Sequence, residues 1–167
     1  MRIRPEEPLD VPRIRAVNVT AFGSAAEADI VDALRLDADN VISLVADDDG
    51  EIVGHIMFSP VQVVGAPDLR AMALAPMAIV PERQRTGIGT TLARAGLDEC
   101  RRLRIGAVFV VGHPLYYPRF GFAAGSTRGF NCEFDVPDEV FMVVELIPGA
   151  LAGRSGTVHF HEAFRNA

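Results

Sequence analysis

From Ala78 to Thr90 the chain reads Ala-Ile-Val-Pro-Glu-Arg-Gln-Arg-Thr-Gly-Ile-Gly-Thr. An apolar run stops at Pro81, a polar segment carries Gln84, Arg85, Gly87 and Gly89, and a helical pattern begins. A strand that feeds a glycine-containing loop into a helix is built to hold an anion. The first turn of a helix presents amide N–H groups without intrahelical partners, its dipole adds positive potential, and glycine admits a ligand close to the backbone. Arg85 could add a charge-assisted contact. The chemistry to expect is phosphate or pyrophosphate binding.

Spacing separates the phosphate-binding classes. A nucleoside triphosphatase loop needs lysine and then serine or threonine after its second glycine, whereas Gly89 is followed by Thr90 and Thr91. A dinucleotide fold needs a tighter strand-to-helix turn and an acidic residue closing the next strand, which here ends Val110-Val111-Gly112. What remains is Gln-x-x-Gly-x-Gly, written as Gln84, Gly87 and Gly89. It resembles the acyl-CoA pyrophosphate loop of the GNAT acetyltransferases, although glycines that serve only a turn and close helix packing would look the same. Downstream, Tyr116-Tyr117-Pro118-Arg119-Phe120-Gly121-Phe122 resembles the aromatic-Tyr-x-x-x-Gly-Phe segment of that family. Loop, aromatic segment and element order together extend the resemblance over nearly the whole chain.

The resemblance implies acetyl-CoA as acyl donor and a primary amine of a small molecule or peptide as acceptor, with direct transfer and no covalent enzyme intermediate. It implies that Gln84, Arg85, Thr86, Gly87, Ile88, Gly89 and Thr90 hold the pyrophosphate. The backbone of Met77, Ala78, Ile79 and Val80 would bind pantetheine and polarise the thioester carbonyl. Pro76, which cannot donate to a ladder, fits the place where the family splays this strand from its neighbour. Tyr117 takes the position of the family's general acid, a phenol that is protonated at neutral pH and can meet a departing thiolate. Two departures stand near it: the strand exits through Gly112-His113-Pro114, and Pro118 follows the tyrosine directly.

The acceptor pocket is expected from the early helices and the following hairpin, with Phe22, Glu27 and His55 as contacts. Each has a rival reading. Glu27 fits a capping box with Ser24, and His55 reads as a hydrogen-bonded structural histidine inside a strand before it reads as a contact. His113 is a further base candidate, as is a water chain, so no base is assigned. His159 and His161 alternate onto one face but lack a third ligand, and no metal is expected. A non-catalytic acyl-CoA sensor on the same fold would keep Gln84 to Thr90 and have no need of Tyr117.

These residues need elements to place them. An opening strand at residues 2–4 leads to a helix after Asp10, read as its cap, with Ile14, Val17 and Ala21 on one face. Ser24 opens a second helix with Ile30, Val31 and Leu34 inward. Residues 41–46 and 52–64 form a hairpin about Asp47-Asp48-Asp49-Gly50, and residues 69–80 add a third strand. A helix over residues 87–104 and a buried strand over 105–111 make a parallel crossover. A helical turn at 116–120 and strands at 125–134 and 140–147 complete the chain. The expected fold class is α+β, with a central mixed, mostly antiparallel sheet, splayed central strands and flanking helices, in one domain over residues 1–167.

Composition bounds the rest. Hydrophobic residues make up 49% and charged residues 23% of the chain, enough apolar surface for a packed core. The two cysteines, Cys100 and Cys132, have no metal-ligand or disulfide pattern. A net charge of −6 disfavours nucleic acid, and the lack of a long apolar run disfavours membrane insertion or a signal peptide. A cytoplasmic location is expected, and the resemblance admits a homodimer through the sheets.

Overall fold

The computed structural model describes residues 1–166. Two compact units interleave along the chain, one taking residues 1–59, 75–96 and the segment from Glu162 onward, the other residues 60–74 and 97–161. Three long elements pass through both.

The first unit begins with β1 (Arg2–Pro5), α1 (Val11–Phe22), α2 (Ala26–Asp37) and β2 (Ile42–Asp48). It continues with β3 (Glu51–Val64) up to Ser59, β4 (Ala71–Ile79) from Ala75, and α3 (Ile88–Arg102) to Gly96. β1 lies antiparallel to β2, and β2 to β3, with Leu44 opposite Ile56 and Val45 opposite His55. Asp49 and Gly50 both adopt positive φ, as a two-residue hairpin turn requires. Strand alternation sets two faces on β3. Gly54 and Phe58 face α3, where a Cβ on Gly54 would lie 3.0 Å from Leu92 Cδ1. His55, one residue away, faces α1 and meets Asn18.

Gly96 is the closest approach of α3 to β3, since a Cβ there would enter the Phe58 ring. Replacing Gly96 with alanine forces the ring or helix to shift, an overpacking cost of about 1–3 kcal/mol, against roughly 1 kcal/mol from better helix propensity. A lower denaturant midpoint is expected for Gly96→Ala, and an unchanged one would show that the ring can yield.

The caps differ from expectation. Asp10 stands at the N-cap of α1 in helical conformation and caps nothing there. Its carboxylate accepts from the Glu7 amide at 2.7 Å and from both Arg4 terminal nitrogens, and the Arg4 bonds hold its pKa below the usual range. Arg4 also donates to Asp47 at 3.0 Å, so the aspartate joins β1 to the hairpin rather than starting a helix. Ser24 likewise forms no capping box, because α2 starts at Ala26 and the serine hydroxyl reaches only the Ala26 amide, at 3.4 Å.

The second unit contains residues 60–64 of β3, residues 71–74 of β4, the end of α3, and β5 (Ala107–Val111). β6 (Ala123–Ala124), β7 (Phe130–Cys132), β8 (Phe141–Glu145) and β9 (Gly156–His159) follow. β4 and β5 are parallel, β5 and β8 antiparallel, and β6 lies antiparallel on β8. β9 pairs antiparallel with the end of β3 and parallel with β7. The sheet is thus mixed and mostly antiparallel. Phe109 fills its core, stacked on Phe141 at 5.7 Å and edge-on to Phe130 at 5.4 Å.

A continuous strand at 125–134 does not form. Residues Gly125–Arg128 make a 3-10 turn, Thr127 Oγ1 donates to the Ala124 carbonyl at 2.6 Å, and Gly129 adopts φ 84°. Local hydroxyl hydrogen bonds and a left-handed glycine outweigh extended pairing here. β9 has no counterpart in the sequence reading.

Candidate active site

The parallel pairing of β4 with β5 covers three residues, ending at Ala73 opposite Phe109. Pro76 follows shortly, joined to Ala75 by a cis peptide bond. Beyond it, Met77 and Ile79 are half-buried while Ala78 and Val80 are buried. Val80 donates its N–H to the Val53 carbonyl at 3.0 Å and accepts from Arg83 N–H at 2.9 Å, so its backbone closes the strand end. Both Val80 backbone groups are thus engaged within the chain. By alternation in an antiparallel pair, Met77 and Ile79 turn their amides away from β3 and Ala78 turns its toward it. Met77 and Ile79 are therefore the residues of this set able to present backbone groups to a pantetheine arm.

The loop after β4 is held by its own side chains. Gln84 Nε2 donates to the Ile79 carbonyl at 3.0 Å, Thr86 Oγ1 to the Arg83 carbonyl at 2.5 Å, and Arg83 pairs with Asp48 at 2.9 Å. Gln84 thus braces the loop rather than reaching outward. Arg85 sits at φ 60°, a left-handed conformation that costs a non-glycine residue about 1–2 kcal/mol, and Gly87 sits at φ 92°. A Cβ on Gly87 would meet nothing within 4 Å, so its backbone lies open. The α3 ladder closes with the Thr91 N–H on the Gly87 carbonyl at 3.1 Å, which leaves the Ile88 and Gly89 amides ahead of the first helical bond. Gln84, Arg85, Thr86 and Gly87 are exposed and Gly89 and Thr90 half-buried, a backbone arrangement at a helix start that can accept an anion.

Tyr117 belongs to the second unit. It opens a 3-10 turn, Tyr117–Phe120, and is 9% exposed. Its ring meets Tyr116 edge-on at 5.1 Å and Phe122 edge-on at 5.6 Å. A side chain on Gly112 would run into the Tyr117 ring, so the glycine that departs from the family pattern makes room for the tyrosine. Pro118 lies in the first turn, where its missing N–H leaves no bond unmade. Burial, helped by Tyr116, pushes the Tyr117 phenol up to about 12, so it stays protonated throughout the physiological range. Arg119 lies over the Tyr116 ring at 4.2 Å and donates to the Tyr116 carbonyl.

The proposed acceptor contacts separate. Phe22, the last residue of α1, is 42% exposed. Glu27 is half-buried in the first turn of α2, and its Oε2 is enclosed without a hydrogen-bond partner. His55 is fully enclosed, and both ring nitrogens are engaged. Asn18 Nδ2 donates to the Ile14 carbonyl and to His55 Nδ1 at 3.2 Å. His55 Nε2 therefore carries the proton and donates to Ser43 Oγ at 2.9 Å, and Ser43 donates to Glu6. Arg35 closes the chain on the Glu6 carboxylate at 2.7 and 3.0 Å. Burial would raise the Glu6 pKa, but the bonds from Arg35 and Ser43 outweigh it and hold the carboxyl below its ordinary value. Burial pushes His55 down to about 3, leaving a neutral imidazole. In this arrangement both ring nitrogens of His55 are engaged within the chain. Asn18 was missed, although a polar residue four positions from Ile14 on a buried helix stripe is a legible signal.

The model of the Acetyltransferase (GNAT) family matches residues 12–122. The chain belongs to the GNAT family. Among its relatives, the N-acetyltransferase YhbS of Escherichia coli (strain K12) is 38% identical over 165 residues, covering 98% of both chains. The N-acetyltransferase YjhQ of the same strain is 40% identical over 134 residues, 78% of this chain and 74% of its own. The crystal structure of E. coli YhbS in complex with CoA has a TM-score of 0.92 at 36% identity, over 98% of this chain and 91% of that one. A GNAT family acetyltransferase from Brucella melitensis in complex with acetyl-CoA has a TM-score of 0.81 at 36% identity, over 98% and 97%. This GNAT acetyltransferase has no helix among its described residues long and apolar enough to cross a membrane.

Proposed function

We propose that this acetyltransferase moves the acetyl group of acetyl-CoA directly onto a primary amine of a small molecule or peptide. The observation that carries the donor assignment is the open backbone at Gly87, immediately before a 15-residue helix whose first ladder bond comes only at Thr91. The complexes of YhbS with CoA and of the Brucella protein with acetyl-CoA support it. Arg85, Thr86, Gly87, Ile88, Gly89 and Thr90 take the pyrophosphate on a loop that Gln84 keeps in shape. The Met77 and Ile79 backbone orients pantetheine, and Phe22 and Glu27 receive the acceptor, with the unpartnered Glu27 carboxylate oxygen taking an N–H of the amine.

The neutral amine nitrogen attacks the thioester carbonyl carbon, loses one proton to water, and the C–S bond breaks as the tetrahedral oxyanion collapses to the amide. The sulfur leaves as a thiolate that takes up one proton. Tyr117 donates a hydrogen bond to that sulfur. The reading places the enzyme in the cytoplasm, as one domain over residues 1–167, with no metal in the reaction.

Titration calorimetry with acetyl-CoA tests the donor site. Wild type is expected to bind, and Gly89→Glu, which sets a carboxylate where the pyrophosphate would lie, to bind at least tenfold more weakly. Equal affinity in the two proteins would remove the loop from the donor site, and no binding to either would sink the transferase reading.

A further inference from the structure

A cavity of about 620 Å³ opens in the first unit between α1, the β2–β3 turn and the residues just after β4. Of the residues expected to hold donor or acceptor, Val80 lines it, whereas Phe22, Glu27, His55 and the segment 84–90 do not. Buried Val17 and Ile52 supply an apolar floor, and Arg13, Asp49, Glu51 and Glu82 stand exposed around it.

The charges here differ from those nearby. Arg4 is paired with Asp10 and Asp47, Arg15 with Asp29 and Asp32, Arg35 with Glu6, and Arg83 with Asp48. Arg13 gives one hydrogen bond to the Gly50 carbonyl, at 3.3 Å, and forms no ion pair among the described residues. Asp49, Glu51 and Glu82 have no hydrogen-bonded or ionic side-chain partner among them either. One guanidinium and three carboxylates thus share a cavity, over an apolar floor, without pairing with one another. Such a lining is complementary to a molecule that carries one carboxylate and two ammonium groups on an alkyl chain.

We propose that this cavity is a binding site for a basic amino acid of the lysine type. The carboxylate meets Arg13, the methylene chain lies over Val17 and Ile52, and the ammonium groups meet the three acids. Three carboxylates against one guanidinium favour a net cation, and the guanidinium favours an amino acid over a simple diamine. Occupancy of this site needs no acetyl-CoA, so its test stands apart from the transferase reading.

The experiment is a titration of L-lysine into the full chain at low ionic strength, followed by the methyl NMR signals of Val17 and Ile52, with cadaverine and norleucine as comparison ligands. Saturable shifts at these methyls are expected, with a Kd on the order of 1 mM and binding weakened by salt. Lysine should bind more tightly than either comparison ligand. Two exposed charge contacts are worth about 0.2–1 kcal/mol each, so Glu51→Gln/Glu82→Gln should weaken lysine binding by roughly two- to thirtyfold. Arg13→Gln should abolish the preference for lysine over cadaverine. Glu27→Gln should leave the titration unchanged, which separates this cavity from the acceptor site. The proposal is overturned if lysine does not saturate these methyls by tens of millimolar. It is equally overturned if the charge variants, with wild-type melting behaviour, bind lysine as wild type does, or if cadaverine binds wild type as tightly as lysine.

Discussion

Tyr117→Phe is expected to lower kcat by about a hundredfold or more while leaving the KM for acetyl-CoA within about threefold, the pattern of an interaction made only as charge develops on the leaving group. The ring is enclosed by aromatic neighbours and pressed against Gly112, so phenylalanine keeps the packing and removes only the hydroxyl. The raised phenol also specifies how it acts. With Tyr117 at about 12 and an ordinary thiol near 8.5, complete proton transfer to the thiolate would be uphill by about 5 kcal/mol. A hydrogen bond that strengthens as the C–S bond lengthens has no such penalty. Wild-type kcat should therefore show no alkaline loss assignable to this residue below about pH 11. Retention of activity within threefold in Tyr117→Phe would exclude the role. An alkaline limb near pH 9 that vanishes in the variant would instead show a phenol far more acidic than its burial allows.

The second large effect is on stability in acid. His55 is neutral and enclosed, with a folded pKa of about 3 against 6.5 for the free side chain. Above about pH 7.5 neither state takes up a proton to any extent, and its neutral hydrogen bonds act in full. As pH falls from 6.5 toward 3, the unfolded chain binds a proton that the folded one refuses, and stability is lost. Between pH 6.5 and pH 4 the loss is about 3 kcal/mol, and by pH 3 it reaches about 4 kcal/mol. Glu6, whose carboxyl the Arg35 and Ser43 bonds hold below its ordinary value, adds loss in the same direction as pH falls through its folded pKa. Denaturant unfolding from pH 7.5 to 4 measures the slope, and the imidazole NMR signals of His55 provide the site-specific reading. Those signals should stay in the neutral form with the proton on Nε2 down to pH 5. Titration of His55 above pH 5 would show that the Asn18–His55–Ser43–Glu6 chain does not hold it neutral.

The acid-stability prediction rests on a buried residue whose partners come from distant parts of the chain, Asn18 and Ser43 with Glu6 behind it, and this marks the limit of what was legible in sequence. Order and spacing alone determined the strand–loop–helix junction at residues 78–90, the hairpin about Asp49-Gly50, the two early helices, the crossover, and the Tyr-x-x-x-Gly-Phe segment. Each of these is encoded by contiguous residues: a periodicity, a turn chemistry, a glycine at a fixed offset. The loop and the aromatic segment carried the resemblance to the GNAT family, and the family model over residues 12–122 shows the membership.

Tertiary structure decided the rest. Asp10 and Ser24 have the right residue types for caps, yet Arg4 claims the first and the late start of α2 strands the second. Val80 belongs to a plausible ligand-binding run, but pairing with Val53 engages its amide. His55 lies in a strand that could floor a pocket, and only the approach of α1 and β2 shows Asn18 and Ser43 enclosing it. Gly112 looked like a departure and is the space that Tyr117 needs. The physical reason is common to all of these. A hydrogen bond, an ion pair or a steric gap is a property of two residues brought together by folding, and a local pattern specifies only one of them.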